Sequence, residues 1–199
     1  MKNKKLYLFD FDGTITNKDS FIHFLISMLG RQKVFFKIVY HFPRILFTFF
    51  TNKKKSKVKE LLLGLFFKGM TEQELNKLGE EYSKRYIEQV LRPKAIAYIK
   101  AIDRDVSDVF LISASVDIWL RNFANTNGMQ LIATKLNYQS NFFTGKFEGE
   151  NCKGIEKVLR LKKVVNLIEY QEIISFGDSN GDKEMFEISS SKNYKPFRN

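Results

Sequence analysis

The 199-residue chain has only one cysteine, Cys152. An intrachain disulfide and a zinc site built from several cysteines are therefore excluded, and a reducing, cytoplasmic location is expected. Glycine (11 residues) and proline (3 residues) are too scarce for a collagen-like or linker protein. With 44% hydrophobic and 28% charged residues, the composition excludes wholesale disorder. The length suits one domain with an insertion, or two small domains.

Acidic residues are absent from residues 20–59, although the whole chain contains 22 of them. The same segment holds nine lysines and arginines among many Phe, Leu and Ile residues, and the formal net charge of the chain is +11. Such a balance is typical of proteins with anionic partners: nucleic acid, a membrane surface or phosphorylated substrates. Nucleic acid is not expected, because a single cysteine excludes a zinc finger and no RRM-like aromatic motif is present.

Long uncharged apolar runs are also lacking. The N-terminal run, residues 6–9, ends at Asp10 and is too short for a signal peptide. A membrane-spanning helix needs about 20 apolar residues. The longest apolar stretch, residues 34–50, is interrupted by Lys37, His41, Pro43 and Arg44. We therefore expect no transmembrane helix, whereas a peripheral position at the inner face of a membrane stays open.

Short apolar runs alternate with helical periodicity along much of the chain. Four runs predict buried strands, at 6–9, 109–113, 131–133 and 172–176. Helical patterns follow at 115–127 and 152–162, and turn residues with later alternation predict a β-hairpin over 137–149. This order predicts an α/β fold with a parallel sheet.

The first two predicted strands are separated by far more than the roughly 30 residues of a βαβ unit. The excess lacks strand alternation, and Thr71 with Glu74 forms a capping-box pattern before a helical repeat. We therefore predict an all-helical insert over residues 17–90. The catalytic core would comprise residues 1–16 and 91–199.

Carboxylates follow two of the predicted strands. Asp10 and Asp12 are two apart, so strand geometry directs both to one side, and Gly13 permits a tight turn after them. Asp178 and Asp182 lie in a second polar turn after the last strand. Taken separately, these residues could be a helix cap and a polar turn. Taken together at the carboxyl ends of parallel strands, they predict a site for a hard cation such as Mg²⁺.

Polar groups for a phosphate are predicted at the same edge. The hydroxyl of Ser113 and the N–H of Ala114 follow the second strand, where phosphate oxygens can bind. Lys153 stands at the start of a predicted helix, a position that opposes the helix dipole. The alternatives are a helix cap at Ser113 and an ordinary surface lysine.

In this order and setting, the residues resemble the haloacid dehalogenase superfamily of phosphohydrolases. The stretches that match its four motifs are Asp10 to Thr14, Leu111 to Ser113, Lys153, and Gly177 to Asp182. The insert resembles the helical cap of the phosphoserine-phosphatase-like branch, subfamily IB, and the hairpin is also similar to that branch. The resemblance covers essentially the whole chain and implies a Rossmann-like parallel-sheet core.

The resemblance also implies a mechanism. Asp10 is the nucleophile that forms an aspartyl-phosphate, and Asp12 protonates the leaving oxygen and then activates water. Mg²⁺ is bound by Asp10, Asp12 and Asp178, with Asp182 orienting those ligands. Ser113, Ala114 and Lys153 bind the phosphoryl oxygens. Dehalogenases lack the second Asp, so the resemblance implies a phosphatase. Transfer to an acceptor other than water shares the same intermediate and stays open.

The substrate is less constrained. In phosphoserine phosphatases a Glu near the first motif binds the amino group, and Asp19 matches it; Arg31 and Arg44 are candidates for the carboxylate ligand. The apolar and basic stretch 31–59 is instead similar to phosphatidylglycerophosphatase C, which implies a phospholipid head-group phosphate. Three alternatives remain: a small soluble metabolite such as phosphoserine, cap helices that merely pack together, and a catalytically inactive peripheral membrane protein.

Overall fold

The computed structural model describes residues 4–52 and 55–198, and it contains a six-stranded sheet in the order β4-β3-β2-β1-β5-β6. The strands are β1 Lys5–Phe9, β2 Ser107–Val116, β3 Gln130–Gln139, β4 Phe142–Glu148, β5 Glu172–Gly177 and β6 Ser191–Tyr194. All neighbouring pairs are parallel except β3 and β4, which are antiparallel. The α/β fold with a β-hairpin that the sequence predicts is confirmed.

The central strand β1 is apolar because both faces of the sheet are covered. Leu6 and Leu8 pack on one face with Phe110 and Ile112 of β2. Phe9 belongs to the larger core on the other face. A strand covered on both sides must be apolar throughout, which explains the unbroken run at the N-terminus.

The helices are α1 Ser20–Leu29, α2 Arg31–Tyr40, α3 Phe42–Asn52, α4 Lys55–Phe67, α5 Glu72–Arg85, α6 Pro93–Ala101, α7 Asp117–Thr126, α8 Ile155–Leu161 and α9 Lys183–Glu187. The first five lie between β1 and β2, where the sequence predicts helices. Their segment begins and ends at adjacent points, since Asn17 N–H donates to Val90 O and Arg92 N–H to Ile15 O, both at 2.8 Å. The division into core and cap at 16/17 and 90/91 stays a prediction.

Several element boundaries differ from those predicted. Strand β2 continues to Val116 through an irregularity after Ser113, so α7 begins two residues later than expected. Strand β3 is continuous into the hairpin, whose turn at Ser140 and Asn141 has positive φ values of 48° and 70°. Strand β6 is an additional edge strand, which the polar sequence of residues 191–194 does not signal.

No single helix within the described ranges has the length and hydropathy to cross a membrane. Helices α2 and α3 pass this test only as a pair, and the pair is bent by 65° at its break. The basic patch at 53–55 is only partly described, because Lys53 and Lys54 lie outside the described residues.

Helix α5 is packed tightly against α7. Its capping box forms as predicted: Glu74 N–H donates to the Thr71 hydroxyl at 3.2 Å, and Thr71 N–H donates to the Glu74 carboxylate at 2.8 Å. Gly79 sits where α5 meets α7, and a Cβ built there would lie 2.3 Å from the Ile118 carbonyl oxygen. The close approach of the two helices therefore requires glycine at this position.

Gly79→Ala tests this packing. Alanine is favoured over glycine in a helix by about 1 kcal/mol, but overpacking against backbone costs about 1–3 kcal/mol. We expect the cost of the clash to exceed the gain in helix propensity, so the free energy of unfolding, measured in urea, should fall by about 2 kcal/mol. Lys77→Ala, at an exposed position of the same helix, should change it by less than about 0.5 kcal/mol. A stabilised Gly79→Ala protein would contradict this account.

Candidate active site

Asp10 lies directly after β1, at the carboxyl edge of the sheet. Its N–H donates to Phe176 O of β5 at 2.9 Å, so the backbone continues the sheet for one more residue. Thr16 N–H then donates to Phe11 O at 3.1 Å, and this hydrogen bond closes the turn. Gly13 has φ +81°, and a Cβ there would lie 2.3 Å from Asp178 Oδ2. The turn therefore brings the first acidic motif against the last one.

Lys157 joins two of the carboxylates. Its Nζ donates to Asp10 Oδ1 and to Asp182 Oδ1, each at 2.6 Å, and all three side chains are buried. Burial raises the pKa of Asp10 to about 7; Asp182 and Asp12 add to the rise, whereas Lys157 opposes it. Burial alone would lower the pKa of Lys157, but the two carboxylates raise it above its ordinary value. The lysine is therefore a fixed cation between two acids.

Asp182 fixes the loop that carries Asp178. Its Oδ2 accepts the N–H groups of Asp178 at 3.2 Å and Ser179 at 3.0 Å, and also the Ser179 hydroxyl at 3.0 Å. Gly177 is needed beside it, because a Cβ there would lie 2.7 Å from the Asp182 Cβ. Burial raises the pKa of Asp178, as does Asp182, while Arg198, Lys157 and Lys195 oppose the rise.

These residues fit a divalent cation. Asp10, Asp178 and Asp182 each offer a carboxylate oxygen, and the three oxygens lie within 4.8 Å of one another. The three carboxylates face two cations, Lys157 and Arg198, so one negative charge is left without a partner. Oxygen ligands of this kind suit Mg²⁺. The donor set is thus consistent with the Mg²⁺ that the sequence predicts.

Asp12 is held by both of its oxygens. Oδ1 accepts Ser20 N–H at 2.7 Å, at the start of α1, and Oδ2 accepts the Ser115 hydroxyl at 2.5 Å. The Ser20 and Ser115 hydroxyl oxygens are 3.1 Å apart, and Trp119 Nε1 donates to Ser20 Oγ at 3.2 Å. Burial raises the pKa of Asp12 against the opposing effects of Lys59, Ser115 and Ser20. Asp12 is thus fixed in position by contacts from α1 and β2, and Trp119 of α7 holds Ser20 in turn.

The lysine beside Asp10 is Lys157, which the sequence analysis did not single out. Helix α8 begins three residues later than predicted, because Gly154 has φ +63° and its N–H donates to Gly181 O at 2.9 Å. Lys153 is therefore in the preceding loop and is exposed, while Lys157 turns inward from the first turn of α8. The signal in the sequence is that Lys157 shares an apolar helix face with Val158 and Leu161. The expected phosphate contact of Lys153 stays a prediction.

Ser113 and Ala114 lie at the end of β2, close to Asp12. Ser113 is buried, and its hydroxyl oxygen accepts Ser115 N–H at 3.0 Å. The Ala114 carbonyl accepts Lys59 Nζ at 3.1 Å, and Lys59 also lies 3.4 Å from the Ser115 hydroxyl. Lys59 belongs to α4, and sequence reasoning did not single it out among the lysines of its segment. Here the helical segment supplies a cation next to Asp12.

A cavity of about 930 Å³ opens beside these groups. Its polar lining includes Lys59, Lys153 and Asn151, together with the Ala114 backbone. The apolar part of the wall comes from both the insert and α8, and its members are Phe21, Ile22, Phe49, Val58, Leu62 and Ile155. The space is large enough for a small organic ligand, and its lining combines apolar side chains with two lysines and three acids, Asp19, Glu150 and Glu156.

The three substrate-side candidates occupy different places. Asp19 lines the cavity, but its carboxylate also caps α1 by accepting Phe21 N–H at 2.9 Å and Ile22 N–H at 3.2 Å. Arg31 lines a separate, apolar cavity on α2. Arg44 is exposed on α3 and does not line the large cavity. The structure therefore does not bring these three residues together around one ligand.

A family model for haloacid dehalogenase-like hydrolases matches residues 7–187 of the chain. The chain belongs to this family. A curated relative, the protein CicA of Caulobacter vibrioides, is 31% identical over 195 residues, which cover 97% of this chain and 86% of CicA. The resemblance found in the sequence is thus confirmed at the level of the family.

Solved structures show the same fold. A Bordetella pertussis protein of unknown function is 21% identical, with a TM-score of 0.78 and coverage of 96% of this chain and 89% of that one. Substrate-bound phosphoserine phosphatase is 20% identical, with a TM-score of 0.65 and coverage of 98% and 87%. A phospho-aspartyl intermediate analogue of phosphoserine phosphatase is 23% identical, with a TM-score of 0.59 and coverage of 96% and 86%. The fold of the phosphoserine-phosphatase-like branch is therefore confirmed.

Lys157→Met tests the charge network. Removal of the cation leaves Asp10 and Asp182 buried without their partner, and breaking a buried ion pair in this way costs about 3–5 kcal/mol. We expect a loss of this size in the free energy of unfolding, measured in urea with EDTA present. Lys153→Met should change it by less than about 0.5 kcal/mol, because Lys153 is exposed. Equal losses in the two variants would contradict the placement of Lys157.

Proposed function

We propose that this haloacid dehalogenase-like phosphatase hydrolyses a phosphomonoester through an aspartyl-phosphate on Asp10, with Mg²⁺ as cofactor. The observation that carries the proposal is the cluster of buried Asp10, Lys157 and Asp182 with partly buried Asp178 at the carboxyl edge of the sheet. A cluster of like charges is costly to bury unless a cation or a reaction uses it. An inactive membrane-binding protein would have no use for this arrangement.

Asp10 and Asp12 divide the chemistry between them. In the first step an Asp10 oxygen forms a bond to phosphorus while the bond to the leaving oxygen breaks, and Asp12 gives that oxygen a proton. In the second step Asp12 takes a proton from water, which attacks phosphorus and frees Asp10. Both Asp12 oxygens accept hydrogen bonds, so its carboxyl is held in one orientation during both steps.

The remaining residues bind charge. Lys157 orients Asp10, while Ser113, the Ala114 N–H and Lys153 or Lys59 would bind the phosphoryl oxygens. Asp10, the Asp12 carbonyl and Asp178 would hold Mg²⁺, with Asp182 orienting Asp178. When bound, the ion would offset the negative charge of the phosphoryl group and of the nucleophile.

The mechanism predicts hydrolysis of an aryl phosphate that depends on Mg²⁺ and is lost with EDTA. Asp10→Asn removes the nucleophile, and we expect turnover to fall by at least about 1000-fold, measured as phosphate release. Asp105→Asn is the control and should retain activity, because Asp105 is exposed and lies just before β2, at the edge of the sheet opposite to the site. The proposal fails if Asp10→Asn keeps wild-type turnover while remaining folded.

A phospholipid head-group phosphate is the substrate that the cavity favours. Lys59 and Lys153 line the cavity together with six apolar side chains, and three acids, Asp19, Glu150 and Glu156, line it as well. Phosphoserine would need partners for an ammonium and a carboxylate. Asp19 is engaged in capping α1, and Arg31 and Arg44 do not line this cavity. These features support a ligand with a phosphate at one end and an apolar portion at the other.

The outer face of α2 and α3 supports attachment to an anionic membrane. We define the α2–α3 surface by the exposed large side chains of these helices, which are Phe35, Phe36, Val39, Tyr40, Phe42, Leu46, Phe47, Phe49 and Phe50. Exposed Arg31, Lys33 and Arg44 lie on the same two helices, and residues 20–59 contain no acid. Exposed apolar side chains in such number on two consecutive helices favour an interaction surface, and each nearby cation adds about 1 kcal/mol of attraction to anionic lipid.

Co-sedimentation with vesicles tests the membrane proposal. We expect the intact chain to pellet with vesicles rich in anionic lipid at low salt and to remain in the supernatant with neutral vesicles. Phe36 and Phe47 are 67% and 69% exposed. Replacing both by Ser removes about 2–4 kcal/mol from the free energy of transferring apolar side chains into the membrane. The affinity for vesicles should therefore fall at least about 30-fold.

Ile168→Ser is the matched control, because Ile168 is 92% exposed but lies in the turn at Leu167–Glu169, outside the α2–α3 surface. It should bind vesicles like the wild type. If the intact chain stays in the supernatant with anionic vesicles, a small soluble phosphate ester becomes the favoured substrate. Phosphate release from phospholipid, amino-acid and sugar phosphates then decides between substrate classes.

A further inference from the structure

The chain after β6 takes a specific, strained path. Lys195 N–H donates to Gly177 O at 2.8 Å, which continues the pairing with β5. Lys195 and Phe197 then adopt left-handed backbone conformations, with φ of +50° and +61°. Such a conformation costs a non-glycine residue about 1–2 kcal/mol, so it persists only where other contacts enforce it.

Phe197 provides those contacts. Its ring stacks on Phe176 of β5 at a centroid distance of 5.6 Å and an interplanar angle of 12°, and it lies 5.6 Å from Tyr98 of α6. Phe176 in turn stacks on Phe9 of β1 at 4.4 Å. Phe197 therefore packs into an aromatic cluster with Phe9, Phe176 and Tyr98. This packing offsets the cost of the left-handed backbone conformations.

As a result of this backbone path, Arg198 lies at the candidate active site. One terminal nitrogen, Nη2, donates to Asp178 Oδ2 at 2.8 Å and approaches the Gly13 carbonyl oxygen at 3.4 Å. Among the residues that the structure describes, Arg198 is the cation that forms an ion pair with Asp178. The other Asp178 oxygen, Oδ1, accepts no hydrogen bond from the described part of the chain.

We infer that Arg198 is a positioning residue, which holds Oδ2 of Asp178 so that Oδ1 is presented to the divalent ion. The inference rests on the proposed metal site. A carboxylate ligand that is not hydrogen bonded rotates freely and loses entropy on binding metal, whereas one held by a fixed donor does not. Removal of such outer partners typically weakens metal binding about 10–100-fold.

A competing effect has the opposite sign. Arg198 is positively charged, and a positive charge near the ion repels it. The side chain is 38% exposed, so water and salt screen this repulsion, whereas the hydrogen bond acts at contact distance. Orientation should therefore outweigh repulsion. Lys195 isolates the charge effect, because it acts on Asp178 through charge without a hydrogen bond to it.

The experiment measures Mn²⁺ binding to the full chain by calorimetry, without substrate. We expect Arg198→Gln to raise the dissociation constant about 10-fold and Lys195→Gln to change it less than 2-fold. Arg198→Lys, which keeps the charge and one donor, should lie between them. Phosphatase activity of Arg198→Gln should recover at high Mg²⁺ with an unchanged KM for substrate. Melting temperatures should match, since both side chains are exposed.

The outcomes separate the two proposals. If the wild type binds Mn²⁺ and Arg198→Gln binds it equally well or more tightly, the role of Arg198 is overturned while the proposed function stands. Equal weakening by Lys195→Gln overturns it as well, because the effect would then be one of charge. If the wild type binds no Mn²⁺, both the metal site and the positioning role are wrong.

Discussion

The contact of Lys157 with Asp10 and Asp182 is the interaction on which the site depends. Both distances are 2.6 Å and all three groups are buried, so the carboxyl ends of β1 and β5 are joined through one cation from α8. Lys157 and Arg198 supply two positive charges against the three carboxylates of Asp10, Asp178 and Asp182, whose oxygens lie within 4.8 Å of one another. The cluster thus keeps a net negative charge, which a bound divalent ion would neutralise. Because uncompensated charge at a partly buried place lowers the stability of the fold, its presence is explained by function and not by stability.

The acidic residues could be predicted from the sequence because parallel strands place their carboxyl ends at a common edge. Asp10, Asp12, Asp178 and Asp182 each follow an apolar run, so locating the runs locates the acids. Lys157, the lysine that contacts Asp10, could not be predicted in the same way. Lys153 and Lys157 are four residues apart near one helix start, and the choice between them depends on Gly154, whose backbone delays the helix until Ile155. A boundary difference of this size therefore decides which of the two lysines is buried.

Three further features depend on geometry that sequence patterns do not carry. Ser115 contacts Asp12 because β2 is irregular after Ser113, and such irregularities have no strong local signature. Strand β6 pairs at an edge through polar residues, so it lacks the apolar run that identifies the other strands. Arg198 reaches Asp178 through a left-handed turn that only the packing of Phe197 enforces. In each case a tertiary contact selects a local conformation that propensity alone would not favour.

The chain separates its charges in space, and the proposed lipid substrate would require such a separation. The acids converge at the sheet edge, whereas α2 and α3 carry cations and exposed aromatic rings without any acid. Phe49 of α3 lines the large cavity and is partly exposed, while Phe47 and Phe50 of the same helix are more exposed and do not line it. A helix lying in the interface buries its apolar face only about 5–10 Å into the bilayer. If the α2–α3 surface lies on a membrane, the cavity therefore opens at the level of the head groups, where a lipid phosphate is found.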